Sequence, residues 1–289
     1  MTRNSMIEIA GLILCAGIFI AVEGSGQAPP FRGKWSLNNW TSGNEVRLEL
    51  VRHTLTSTSS WGGSHPMEEL QGLTRDQLHS AHSKVKFTIE KDAGIFAFEG
   101  AVTLGVGQGE YDFIASNTYI DKLNAMGYRN VDRDDLFWMA VQDISLGFAR
   151  EVREAGLRDA TTDDLKTFKT HGIDIAYIRD LSMLGYTALS SADLVNLKNH
   201  GVDISFLRGL KKAGYNMSAD DVVTLHNHGV DEQYMAGLKA AGYQKAGVED
   251  ITNLRNHGID GSYLSRLQSS GFTSLTTEQI MRLHDHGVD

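Results

Sequence analysis

A fixed period restricts the fold of this chain more than any other feature. Gly-Tyr, Gly-Leu or Gly-Phe pairs begin at Gly127, Gly156, Gly185, Gly214, Gly242 and Gly271, at successive spacings of 29, 29, 29, 28 and 29 residues. A second marker, His-Gly-(Ile/Val)-Asp, keeps the same register at His171, His200, His228, His257 and His286. Periods of this size mean stacked supersecondary units, none of which can bury its apolar face alone.

One unit reads as helix, cap, helix, cap. Asp174 suits the N-cap of a first helix whose inner face is Tyr177, Ile178 and Leu181, and Gly185 ends it. Ser190 with Asp193 forms a capping-box pattern for the second helix, Leu194 and Leu197 supply its buried face, and Gly201 stops it. Ser218/Asp221 and Thr276/Gln279 repeat that pattern. Gln142-Asp143 stands where later units have His-Gly, and Asp tolerates a left-handed cap better than most residues. Prolines occur at Pro29, Pro30 and Pro66 and nowhere after, which suits a helical C-terminal half.

Before the repeats the pattern changes to period two. Val46, Leu48 and Leu50 alternate with charged residues, as do Val85, Phe87 and Ile89, which predicts half-buried strands. Asp92-Ala93-Gly94 reads as a turn into a strand over Ile95–Glu99, and Gly105–Gly109 as a turn into Tyr111–Ile114. Thr74 and Gln77 mark a short inserted helix. The expected fold class is α+β, with a small antiparallel β domain (29–115) and then an α-solenoid of about six 29-residue two-helix repeats (116–289).

At the N-terminus, Arg3 precedes the apolar run Ile9–Val22, and small and polar residues follow over Glu23–Ala28. That run falls short of the ~20 apolar residues a bilayer span needs, so residues 1–28 read as a signal peptide; an uncleaved anchor is the alternative. The expected location is periplasmic or extracellular. Cys15 is the only cysteine, which rules out a disulfide framework and a Cys-based zinc site in this sequence. A formal charge of -9 without a basic block argues against nucleic acid as a partner.

Candidate chemistry is sparse. The pairs His171-Gly172, His200-Gly201, His228-Gly229, His257-Gly258 and His286-Gly287 read as structural helix caps, with imidazoles bonding the last carbonyls. Adjacent helices pack ~8–10 Å apart and zinc ligands sit ~2 Å from the metal, so neighbouring rungs are too far apart to share an ion. His79 and His82 share one face of the inserted helix and are the only pair on which a metal-dependent hydrolase would rest. No H-E-x-x-H, P-loop or G-x-S-x-G motif occurs in the sequence. No catalytic residue, metal or cofactor is expected. Candidate binding-surface residues are Trp35, Trp40 and Trp61 in the β region, and Gly209 and Gly237 inside first helices, where glycine admits a close approach.

Asp92–Glu99 (DAGIFAFE), the glycine-rich Gly105–Gly109, Tyr111-Asp112-Phe113 and the His-Gly-Val-Asp and Ala-Gly-Tyr repeats resemble one bacterial region. It is the extracytoplasmic C-terminal part of antirepressor-type membrane metallopeptidases, relatives of the β-lactam sensor-transducers. The peptidase half and its zinc motif are missing from this sequence, so no catalytic residue carries over. The resemblance implies a sensory or interaction role outside the cytoplasm. The expected function is a non-enzymatic protein- or peptide-binding module with a partner in the cell envelope. A self-assembling structural protein is the alternative.

Overall fold

The computed structural model describes residues 31–38, 44–53 and 57–288. The expected signal segment and Trp40 lie outside the described residues. The fold is α+β, with a six-stranded antiparallel sheet followed by twelve helices among the described residues. Two compact units account for it, one comprising the sheet, most of α2 (Asn117–Ala125) and α3 (Arg133–Val141), the other the later helices.

The strands are β1 (Phe31–Asn38), β2 (Glu45–His53), β3 (Thr58–Pro66), β4 (Ser83–Lys91), β5 (Gly94–Thr103) and β6 (Val106–Ala115). Their spatial order is β3-β2-β1-β6-β5-β4, two three-stranded meanders joined where β1 pairs with β6. Alternation puts Trp35, Leu37, Val46, Leu48, Phe87, Phe98, Tyr111 and Phe113 on one buried face. The short helix α1 (Arg75–His79) packs on β4 and β5, and Thr74 and Gln77 form its capping box. Phe137 of α3 adds a ring against Phe96, Tyr111 and Phe113.

Three sequence expectations change here. Gly107 and Gly109 belong to strand β6, not to a turn; the hairpin tip is Leu104-Gly105, with φ of 46° and 83°. The glycines are in mid-strand because the Trp35 indole lies against them: a Cβ at Gly109 would stand 2.8 Å from Trp35 Nε1, and one at Gly107 2.9 Å from Trp35 Cζ3. His82 is not on the inserted helix, which ends at His79 with Ser80 as its C-cap. Strands β1 and β3 also join the sheet: β1 alternates, with Trp35 and Leu37 buried between exposed Lys34, Ser36 and Asn38, whereas β3 is serine- and glycine-rich with no fully buried residue.

In the later unit, first helices α4 (Leu146–Glu154), α6 (Ile175–Met183), α8 (Ile204–Ala213), α10 (Glu232–Ala240) and α12 (Gly261–Ser269) alternate with second helices. These are α5 (Thr162–Thr170), α7 (Ser191–Asn199), α9 (Ala219–Asn227), α11 (Val248–Asn256) and α13 (Thr277–Asp285). Each first helix packs on the next first helix and each second helix on the next second helix. Helices this short are marginal alone and owe their persistence to such packing.

Their ends are closed by the residues that the sequence marks. Asp174, Asp203, Asp231 and Asp260 each accept from the backbone N–H three residues on, at 2.7–2.9 Å. Capping boxes close Thr161/Asp164, Ser190/Asp193, Ser218/Asp221 and Thr276/Gln279, whereas Gly247 gives α11 no side-chain cap. Second helices end in a Schellman pattern. Gly201 N–H donates to Lys198 O, Val202 N–H donates to Leu197 O, and Gly201 has φ 71°. Asp143 takes the corresponding left-handed place with φ 51°.

Candidate functional site

The helical unit carries three sets of rungs, each built from equivalent positions. The first joins the two helices of one repeat. The third residue of a first helix is aromatic, and its hydroxyl, where present, donates to the last apolar carbonyl of the same repeat: Tyr177 to Val202 O at 3.0 Å, Tyr234 to Ile259 O at 2.9 Å, Tyr263 to Val288 O at 2.7 Å. Tyr119 makes the same bond to Ile144 O at 2.7 Å in the sheet-bearing unit. Burial raises the Tyr177 phenol to about 12 and raises that of Tyr234 as well, so both are neutral donors at ordinary pH.

On the same rings sits a second set. Lys169 lies 4.8 Å from the Phe148 centroid, Lys198 4.7 Å from Tyr177 and Arg255 4.9 Å from Tyr234, all within cation–π range. In two repeats an imidazole takes that place: His226 stands edge-on to Phe206 at 5.3 Å and His284 to Tyr263 at 4.9 Å. The same side chains reach back to the preceding repeat. Lys198, His226 and Arg255 lie within 4.0 Å of where a Cβ would stand on Gly172, Gly201 and Gly229. That is the negative end of the preceding second helix, where cations are favoured.

A third set uses the capping histidines. His171 Nδ1 meets Thr167 O of its own helix at 2.9 Å, the bond expected of all of them. The others turn to the next repeat: His200 to Asn227 Oδ1 at 3.0 Å, His228 to Asn256 Oδ1 at 3.0 Å, His257 to Asp285 Oδ1 at 3.1 Å. Helix ends of successive repeats are close enough for a side chain to bridge them. His286 is exposed at the end of α13, before Gly287 with φ 72°.

Gly209 and Gly237 belong to helix contacts. A Cβ on Gly209 would meet the Glu232 side chain at 2.8 Å. One on Gly237 would stand 3.4 Å from Gly261 Cα, and one on Gly261 2.4 Å from the Gly237 carbonyl, so α10 and α12 nearly touch there. Trp35 is 2 % exposed and donates from Nε1 to Glu99 O at 3.1 Å, which makes it core and removes it from any binding surface. Trp61 is half-buried and packs edge-on against Phe137 at 5.0 Å and Trp138 at 5.2 Å.

His79 and His82 are both exposed, and His82 Nδ1 meets Thr103 Oγ1 at 3.3 Å. Among the described residues no group of three His, Cys, Asp or Glu side chains is placed to hold a metal ion. The cavity beside the Tyr186 ring and Leu157, Ile178 and Leu194 has a volume of ≈ 10 Å³, about one water and too small for a substrate.

The aromatic–cation rungs were not anticipated from the sequence, although a signal for them exists. Phe148 and Lys169, Tyr177 and Lys198, and Tyr234 and Arg255 are all 21 residues apart. The Asp203 and Asp260 carboxyls are held below the usual carboxylate range, Asp203 first by the Phe206 N–H and Asp260 first by the Ser262 hydroxyl, as N-cap acceptors should be. No helix among the described residues is long and apolar enough to cross a membrane. In comparisons with known proteins, no family model and no curated protein matches this chain.

Proposed function

We propose that this chain is a non-enzymatic, exported binding protein that presents an α-solenoid of about six two-helix repeats to a protein or peptide partner in the cell envelope. The observation that carries the reading is the packing order. In α4 through α13 each first helix packs on the next first helix and each second helix on the next second helix. Nearest-neighbour stacking of this kind is how repeat proteins build extended recognition surfaces. The polar groups at the helix ends are already engaged in caps and rungs, a structural use that leaves the outward-facing positions for a partner. The apolar run Ile9–Val22, which lies outside the described residues, supports export. The resemblance to extracytoplasmic sensor regions supports an interaction role.

Photo-crosslinking in the envelope of the producing cell tests this. A photoreactive side chain is placed at Met183, which is 77 % exposed on α6, at the exposed Arg208 on α8, or at the exposed Gln108 on β6. The expected result is one shared adduct from Met183 and Arg208 and none from Gln108. Adducts from Gln108 alone would put binding on the sheet and overturn the reading.

A further inference from the structure

The two edges of the sheet are guarded very differently. Strand β4 carries Lys84, Lys86, Glu90 and Lys91, and its outer side is partly closed where Thr88 and Gln71 exchange two backbone hydrogen bonds of 2.9 Å. Charges and covering segments of this kind are how edges avoid pairing with other chains. Strand β3, Thr58–Pro66 (TSSWGGSHP), has neither. It contains no Lys, Arg, Asp or Glu, its register with β2 runs unbroken over nine residues, and its proline is the last of them. Among the described residues no strand pairs with its outer side. Beside that edge, on the core-facing side, Trp61 rests on Trp138, which is 38 % exposed.

We propose that a second copy of this chain adds to β3 in antiparallel fashion, joining two six-stranded sheets into one. The strip's complementarity to itself selects this occupant. A formal charge of -9 works against self-association, so two copies need a contact free of like charges. The charge-free Thr58–Pro66 strip is where two copies meet without like charges face to face.

One register then meets two requirements. Full overlap of nine residues centres the two-fold axis on Gly62. Matching the apolar faces requires odd-numbered residues to oppose odd-numbered ones, which the same centre satisfies. In that register Trp61 lies opposite the partner's Gly63, Ser60 opposite the partner's Ser64, and both tryptophan pairs fall on one side of the joined sheet. An edge pairing buries less than the ~800 Å² per partner of a standard interface, which places it among weak, transient contacts to be sought at micromolar to submillimolar concentration.

Sedimentation equilibrium of the full chain from about 1 to about 300 µM spans that range and is expected to show a monomer–dimer equilibrium. In Ser60→Lys with Ser64→Lys, two lysine pairs oppose each other across the axis and weaken the dimer about tenfold. Ser60→Lys with Ser64→Glu instead sets opposite charges against each other and restores or tightens it. Both serines are exposed, so circular dichroism melts of the two variants should match that of the parent. A monomer at every concentration overturns the proposal. So does equal weakening by both variants, which denies the register. Undiminished association of the double-lysine variant would also overturn it, by placing the contact elsewhere, for example in the Ile9–Val22 run.

Discussion

In the sheet, Gly100, Gly107 and Gly109 sit in mid-strand under the Trp35 ring, whereas in the helical unit Gly172, Gly201, Gly229 and Gly258 sit at helix ends with φ between 64° and 71°. The first group is there for the volume a side chain would occupy, the second for a backbone conformation that a Cβ disfavours. The sheet therefore depends on contacts between residues far apart in sequence, such as Trp35 with Glu99. The helical unit depends on short-range rules repeated at each turn of the period. Damage should stay local in the second and spread widely in the first.

The sharpest way to break that contrast is Gly109→Ala. Its Cβ would stand 2.0 Å from Glu99 O and 2.8 Å from Trp35 Nε1, and neither backbone nor indole can give way without losing the Trp35 bond. The expected loss is about 3 kcal/mol in urea unfolding, and a loss under about 1 kcal/mol would mean the strand tolerates a side chain under that ring. A smaller effect is expected of Gly261→Ala, whose Cβ would stand 2.4 Å from the Gly237 carbonyl and forces α10 from α12. It should cost about 2 kcal/mol. The control, Gly258→Ala, has open space within 4 Å and φ 70°, so only the left-handed backbone penalty of about 1 kcal/mol applies. Equal costs for the two would show that α10 and α12 part at Gly261 with little loss.

Tyr177→Phe is the mildest change. It removes the hydroxyl that donates to Val202 O and should cost about 1 kcal/mol with the ring still packed. The same phenol makes a prediction about pH. It holds its proton more tightly folded than unfolded, so its stabilisation is full below pH 10.0 and lost as pH rises toward about 12. The substituted chain should show a shallower alkaline decline in melting temperature than the parent, and identical declines would take Tyr177 out of the alkaline transition.

The parts of this architecture that follow local rules were readable in the sequence. Asp174, the Ser190/Asp193 box and Gly201 announce helix boundaries because capping is decided within three or four residues. The alternation of Val46, Leu48 and Leu50 announces β2 for the same reason. Strand β3 was illegible because Thr58–Pro66 is rich in serine and glycine and is held only by its pairing with β2. Gly107 and Gly109 read as a turn because nothing nearby in sequence says that Trp35, on a different strand, will lie across them. The candidate site divides in the same way. The histidines were found at helix ends, but their bonds to Asn227, Asn256 and Asp285 span 27 or 28 residues, beyond any capping rule.

One feature of the rungs gives the helical unit a direction. Where a cation reaches a helix end it comes from the repeat that follows: Arg153 toward Gly127, Lys198 toward Gly172, Lys211 toward Gly185, Lys239 toward Gly214, Arg255 toward Gly229. Removing a repeat thus strips a counter-charge from the one before it and leaves the helix ends of the one after it intact. Fraying should therefore pass backward along the chain more easily than forward. Under load or in a protease, such an array behaves as a ratchet whose pawls all lean the same way.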